Sequence, residues 1–179
     1  MSRVRIVGGQ WRSRLLEVTD AQGLRPTPDR VRETLFNWLG QTLAGEHCLD
    51  LFAGSGILGF EAASRGAESV VLVERNPRAV AALHKSAKTL QASQVEIVCG
   101  DAVRFAQNAQ RKFDGVFLDP PYEQGWIERI QPWLDALLKP DGWIYVESEA
   151  TVATLGNWQA VKQGRAGTVN FHLMRRSQE

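Results

Sequence analysis

Asp50-Leu51-Phe52-Ala53-Gly54-Ser55-Gly56-Ile57-Leu58-Gly59 is the stretch on which the fold turns. It joins an apolar run, Cys48 to Phe52, to a helical pattern near residues 57 to 65, and its glycines stand where a backbone must turn tightly and approach a ligand closely. Outward from it the same unit repeats. Ser69 to Val73, Val95 to Val98, Gly115 to Leu118 and Trp143 to Val146 read as buried strands, and helical stretches near 77 to 91, 102 to 110 and 126 to 138 lie between them. Strict β/α alternation requires crossover connections, so a mostly parallel, doubly wound α/β sheet is expected, with ligands outside the carboxyl ends of its strands. The tail breaks the rhythm: Trp158 to Val161 and Thr168 to Met174 flank Gln163-Gly164-Arg165-Ala166-Gly167 with no helix between them. A terminal β-hairpin follows, with the last strand antiparallel to its partner.

A chain of 179 residues with 44% hydrophobic content fits one domain and leaves little room for a second. The expected division is a basic extension over residues 1–44 and the β/α domain over 45–179. Cys48 and Cys99 both fall in strand-like apolar stretches without CxxC or Cys/His spacing, so buried, reduced thiols and no metal are expected. The basic N-terminus has no apolar signal region, and no run approaches the roughly 20 apolar residues of a membrane span. A cytoplasmic protein with no membrane partner is expected, with a monomer as the default.

The net charge of +1 conceals a local asymmetry. Arg3, Arg5, Arg12, Arg14, Arg25, Arg30 and Arg32 crowd the beginning of the chain, and guanidinium pairs bidentately with phosphate and displaces condensed counterions. Short apolar runs around Gly8-Gly9 predict a small hairpin over residues 3 to 18. Thr27-Pro28-Asp29 then gives a helix start, with a hydroxyl able to cap, a proline for the first helical position and a carboxylate at the positive dipole end. Val31, Leu35, Trp38 and Leu39 form its apolar stripe, which leaves Arg32 on another face.

The glycine loop admits two readings. Gly54, Gly56 and Gly59 satisfy GxGxxG, and Glu74 closes the second strand 20 residues after Gly54, which also fits a nicotinamide dinucleotide site. A triphosphate site is disfavoured, since GxxxxGK[ST] is absent. Asp50 tilts the balance: a carboxylate at that strand end suits the cationic amino-acid moiety of S-adenosylmethionine and would repel a pyrophosphate. Asp101, in Cys99-Gly100-Asp101-Ala102 after the third strand, is placed either to accept from an adenine amino group or to cap a helix.

Asp119-Pro120-Pro121-Tyr122 follows the strand Gly115 to Leu118 and so reaches the same rim. Two prolines fix φ and remove two donors, which leaves a stiff corner rich in acceptors. Such a corner suits an exocyclic amine, as in guanine N2 or adenine N6, whose lone pair is delocalised into an aromatic ring until its hydrogens are held. The Asp119 carboxylate and the Pro120 carbonyl would accept those hydrogens and favour positive charge developing on nitrogen. Tyr122 would stack on the base.

With these residues in view, the chain resembles the bacterial small-subunit ribosomal RNA guanine-N2 methyltransferases, the methyltransferase D group that modifies guanine 966 of 16S rRNA. The likeness runs through nearly the whole chain and rests on Arg5-Ile6-Val7-Gly8-Gly9-Gln10-Trp11-Arg12, on Leu24-Arg25-Pro26-Thr27-Pro28-Asp29-Arg30-Val31-Arg32-Glu33-Thr34-Leu35-Phe36-Asn37-Trp38-Leu39, on the glycine loop and on the tetrad. It implies a Rossmann-like class I methyltransferase with a seven-stranded sheet, and S-adenosylmethionine contacts from Asp50, Gly54, Gly56, Glu74 and Asp101, with Ala53, Ser55 and Ala102 beside them. It also implies catalysis at Asp119, Pro120, Pro121 and Tyr122, and a substrate of 16S rRNA in the small ribosomal subunit or its assembly intermediate. Charge and location nominate Arg3, Arg5, Arg12, Arg14, Arg25, Arg32 and Arg165 for RNA contact, and Trp11 either stacks on a base or belongs to the core. Two rivals remain: a DNA adenine-N6 methyltransferase, which needs the same tetrad, and a nicotinamide oxidoreductase, which explains only the glycine loop.

Overall fold

The computed structural model describes residues 2–19 and 27–178, so the expected RNA contact Arg25 lies outside the described residues. Strands β1 (Ser2–Arg5) and β2 (Leu15–Val18) form an antiparallel hairpin, and α1 (Asp29–Leu39) follows. The β/α series then runs β3 (His47–Asp50), α2 (Ile57–Ser64), β4 (Ser69–Glu74), α3 (Pro77–Leu90), β5 (Val95–Cys99), α4 (Ala102–Asn108) and β6 (Phe113–Leu118). It continues with α5 (Trp126–Ile130), a 3₁₀ turn (Gln131–Trp133), α6 (Leu134–Leu137), β7 (Leu138–Ser148), β8 (Thr154–Leu155), β9 (Trp158–Ala166) and β10 (Val169–Arg176). The helix expected over 126 to 138 is thus broken in three. Pro132, in the middle of the 3₁₀ turn, has no N–H for the helical ladder.

The main sheet has the order β5-β4-β3-β6-β7-β10-β9-β8. Pairs among β5, β4, β3, β6 and β7 are parallel, and β10 lies antiparallel to both β7 and β9. Eight strands stand where seven were expected, because the chain pairs Thr154 and Leu155 with the start of β9 before the final hairpin. The order reverses between β3 and β6: the chain leaves β3 toward β4 on one side and returns to β6 on the other. Their carboxyl ends therefore flank the crevice where doubly wound sheets bind ligands.

Apolar side chains cover both faces of the sheet. One layer unites the hairpin residues Val4, Ile6, Trp11 and Leu16 with Leu35 and Phe36 of α1 and with Leu58 and Phe60 of α2. The other gathers Ala106 of α4, Ile130, Leu134 and Leu137 under β6 and β7. β5 is an edge strand, which corrects the expectation that Val95 to Val98 is buried; Cys99 at its end is exposed, while Cys48 in central β3 is buried. Among the described residues no helix is long and apolar enough to cross a membrane.

A buried carboxylate fastens the N-terminal hairpin to this body. Glu61 of α2 accepts from the Val7 and Gly8 amides at 3.1 Å and pairs with Arg65 at 3.1 Å and Arg32 at 3.6 Å. Ser64, one turn on, accepts from the Trp11 amide and donates to the Gly8 carbonyl. Gly9 permits this approach: it has a φ of +79°, and a Cβ there would stand 2.0 Å from the Ser64 carbonyl oxygen.

Arg32 corrects the reading of α1. Its guanidinium is fully buried, donating to the Thr27 and Arg5 carbonyls and pairing with Asp29 and Glu61. Four internal partners leave it no phosphate to bind. Burial pushes the Glu61 carboxyl up and the Arg32 guanidinium down, and in each case the partner's charge opposes the shift. Glu61→Ala would leave the Val7 and Gly8 amides unmet and take a buried counter-charge from both Arg32 and Arg65, so it should cost about 3–5 kcal/mol. Urea unfolding measures this, and hydrogen exchange should accelerate first at Val7 and Gly8.

Candidate active site

β3 ends in Asp50, which is buried to 1% exposure, and its Oδ1 meets no hydrogen-bonding partner among the described residues. Burial pushes its carboxyl up to about 7, with the nearby Glu74 adding to the effect and the Phe52 amide opposing it. The following turn is held by backbone bonds from Ala53 to Val73 and from Gly56 to Ala53. Gly54 and Gly56 both adopt left-handed backbone, and a Cβ on Gly56 would stand 2.6 Å from Leu83 and Phe60. No residue but glycine fits there. Ser55 caps the turn through its hydroxyl, which accepts from the Ile57 amide at 3.4 Å.

Glu74 ends β4 and anchors this turn. One carboxylate oxygen accepts from the Gly54 amide at 2.9 Å and the other from the Asn76 amide at 2.8 Å. Asn76 in turn caps α3 at Arg78 and Ala79, with Pro77 as the first helical residue. Beyond β5, Asp101 caps α4 by accepting from the Arg104 amide at 3.0 Å, and Ala102 behind it is buried. Asp101 also lines an open groove of about 370 Å³ with Val98, Gly100 and Phe105. The carboxylates thus stand at three successive strand ends along β3, β4 and β5.

On the other side of the crevice, Asp119 follows β6, directly beyond the register in which Asp50 pairs with Phe117. Pro120 is buried, Pro121 half-buried, and Tyr122 is 41% exposed at the rim. The turn continues through left-handed Glu123 and Gly125 into α5.

Three further groups complete this corner, and none was expected in it. Glu147 of β7 is buried and accepts from the Tyr145 hydroxyl at 2.6 Å and the Thr27 hydroxyl at 2.8 Å. The Thr27 oxygen also lies 3.3 Å from Asp119 Oδ2. Thr27 therefore does not cap α1, whose N-cap is Pro28 without a side-chain bond. Burial and the neighbouring Glu147 hold the Asp119 carboxyl well above the usual carboxylate range, and burial likewise raises Tyr145. Glu147 had a legible signal, since it directly follows the apolar run Trp143 to Val146, as Asp119 follows Gly115 to Leu118. Thr27 had none, because a threonine before a proline at a helix start reads as a cap.

The residues nominated for RNA divide. Arg3, Arg5, Arg12 and Arg14 are exposed on the hairpin, with Arg14 donating to the Thr89 carbonyl. Arg12 also lines an open groove with Gly8, Gly9, Asn37, Gln41 and Arg65. Arg165 is exposed and pairs across β10 with the level of Ser148, the carboxyl end of β7, which sets it at the same end of the sheet as the crevice, three strands from β6. Trp11, in contrast, is 4% exposed within the core beneath the hairpin, so its ring is not presented for stacking. With Arg32 also buried, two of the nominated contacts serve the fold instead.

Residues 4–175 match the family model described as Conserved hypothetical protein 95. The ribosomal RNA small subunit methyltransferase D of Escherichia coli strain K12 is 42% identical over 97% of this chain and 90% of its own length. The protein of the same name from Haemophilus influenzae is 43% identical over 95% of this chain and 92% of its own. A solved Escherichia coli structure described as a methyltransferase superposes with a TM-score of 0.88 at 40% identity, covering 99% of this chain and all of that one. The crevice between β3 and β6, with its glycine turn and Asp-Pro-Pro-Tyr corner, thus sits in a chain that belongs to the Conserved hypothetical protein 95 family, that of the ribosomal RNA small subunit methyltransferase D proteins, with an S-adenosylmethionine-dependent methyltransferase fold.

Proposed function

We propose that the chain methylates the exocyclic N2 amine of guanine 966 in 16S rRNA of the small ribosomal subunit. One observation carries the reaction: a buried carboxylate with an unpartnered oxygen, Asp50, stands across the strand-order reversal from the acceptor corner at Asp119. A buried anion without a partner is costly, and a cationic ligand relieves it. The ammonium of S-adenosylmethionine fits that requirement. The other side chains fit the rest of the cofactor: Glu74 retains lone pairs for ribose hydroxyls, and Asp101 opens onto the groove with Val98 and Phe105, where an adenine would lie. Ala53, Gly54, Ser55, Gly56 and Ala102 would line the approach.

When bound, the cofactor supplies an electrophilic methyl group. The protein's part is to turn a poor nucleophile toward it. The Asp119 carboxylate and the Pro120 carbonyl accept the amine hydrogens, which orients the nitrogen lone pair and stabilises positive charge as it develops there. Tyr122, exposed at the rim, stacks on an extruded base. The hairpin, as part of a recognition element over residues 1–44, offers Arg3, Arg5, Arg12 and Arg14 to phosphates, and Arg165 does so from the far side of the crevice. The relatives' names supply the substrate class, ribosomal RNA of the small subunit. The choice of guanine 966 rests on the family resemblance, and such a substrate places the protein in the cytoplasm.

A duplex-DNA adenine methyltransferase fits less well, because sequence readers of duplex DNA need a major-groove element and the N-terminal segment here is a short hairpin and one helix docked on the core. Labelled methyl transfer to small subunits, naked rRNA and DNA, followed by nucleoside analysis, decides between them. N2-methylguanosine confined to rRNA is expected; N6-methyladenine would overturn the assignment.

Two further outcomes follow from the site. Asp119→Asn should lower methyl transfer about 100- to 1,000-fold while S-adenosylmethionine binding persists, as calorimetry would record. Asp50 pairs with the ammonium only when ionised, and its carboxyl titrates near 7 in the free protein. Cofactor affinity should therefore fall as pH drops below about 7, approaching tenfold per pH unit for a single proton. Asp50→Asn should abolish that dependence. It should also stabilise the free protein near pH 8, because a carboxyl raised on folding costs stability once pH exceeds its unfolded value.

A further inference from the structure

Glu147, Tyr145 and Thr27 are buried polar groups beside the reacting corner with no part in holding cofactor or base. Glu147 accepts two hydroxyl hydrogens on one oxygen, Oε1. The Thr27 oxygen has one hydrogen to give. At 2.8 Å from Glu147 and 3.3 Å from Asp119, it donates to the first and is placed to accept from the second. The register of β6 and β7, in which Leu118 pairs with Val146, brings Asp119 and Glu147 to the same level on adjacent strands. With the two carboxyls side by side in a buried site, the charge on Glu147 raises the proton affinity of Asp119. Asp50 faces the pair from β3, with Glu74 behind it on β4, and Tyr145 and Tyr122 face it from β7 and the turn. Among the described residues, the cation that meets Thr27 is Arg32, which binds its backbone carbonyl.

We propose that Glu147 tunes Asp119 into the base of this site: the Glu147 charge, with the Thr27 hydroxyl bonded to both carboxyls, readies Asp119 to take up the proton that the methylated amine sheds. The proposal rests on the amine-methylation reading above. Methyl transfer leaves the nitrogen positively charged, and one N–H bond must then break with its electron pair remaining on nitrogen. That proton goes to Asp119 Oδ2, which then donates to Thr27 Oγ1, while Thr27 keeps its own hydrogen directed at Glu147 Oε1. The amine ends neutral, Asp119 is protonated, and Thr27 and Glu147 keep their starting states. Tyr145 keeps its bond to Glu147 throughout and fixes that carboxyl. Glu147 and Thr27 are positioning residues, since they act on the base only through Asp119.

Carbon NMR of protein carrying ¹³C-labelled carboxyls, free of cofactor and RNA, tests the pairing without reference to substrate. The Asp119 resonance is assigned by its loss in Asp119→Asn. It should titrate above the ordinary carboxylate range in the native protein and move down by about one pH unit or more in Glu147→Gln, which keeps the acceptor for Tyr145 and Thr27 but removes the charge. An unmoved Asp119 titration overturns the proposal whichever nucleoside is methylated. Thr27→Val provides a second reading with both carboxyls intact. It should slow single-turnover methyl transfer about 100-fold without weakening RNA binding, and Thr27→Ser should restore it. Full activity in Thr27→Val would overturn the proposal. If the Asp119 shift is present but rRNA is not methylated, the substrate assignment fails and the carboxyl pair stands.

Discussion

The Glu61 carboxylate lies fully buried in α2, and elements remote from one another in sequence direct their donors to it: the Val7 and Gly8 amides from the hairpin, the Arg32 guanidinium from α1, and Arg65 from its own helix. An ion this deep is tolerated only when nearly every lone pair is met. The geometry that satisfies Glu61 therefore fixes where the hairpin and α1 sit against the sheet. Arg32 carries the constraint onward, since the same guanidinium holds the Thr27 carbonyl, and the Thr27 hydroxyl reaches Glu147 and Asp119. A network built for docking thus ends at the Asp-Pro-Pro-Tyr corner.

A second constraint is electrostatic. Asp50, Asp119 and Glu147 crowd the crevice, and each ionised group raises the cost of the next. Hydroxyl donors from Thr27 and Tyr145 satisfy Glu147, whereas Asp50 Oδ1 is left without a partner. The site is thereby costly in the free protein, and on the proposed reading a cationic cofactor relieves that cost, the direction expected where binding matters more than resting stability.

Much of this was legible in the chain. The β/α alternation gives the parallel sheet and the rim at which Asp50, Glu74, Asp101 and Asp119 are found, and the helix-free tail gives the antiparallel end, although Gln163 to Ala166, expected in the turn, belong to β9 and the turn is confined to Gly167 and Thr168. What failed did so for tertiary reasons. Local pattern does not reveal which strand is outermost, so the exposure of β5 and Cys99 was missed. Arg32 was read from its charge, while its burial depends on Glu61, 29 residues away in another helix. Trp11 stood equally for core or stacking until the packing of the hairpin on α2 placed it beneath. Pro132 was visible and underweighted; its missing N–H breaks a helix that the apolar spacing alone would carry through.

The hydrogen bond from Thr27 to Glu147 spans 120 residues. A contact between one of the earliest segments and one of the last strands makes the topology strongly non-local, and such contacts form late because loop closure precedes their reward. During synthesis the first 27 residues leave the ribosome long before β7 exists to receive them. The hairpin, α1 and the early strands can be assembled by then, yet the corner around Asp119 still lacks the groups that border it. The corner is therefore completed only once β7 has been made, and the N-terminal segment is not an exchangeable module: grafting another in its place would remove Thr27 from the corner.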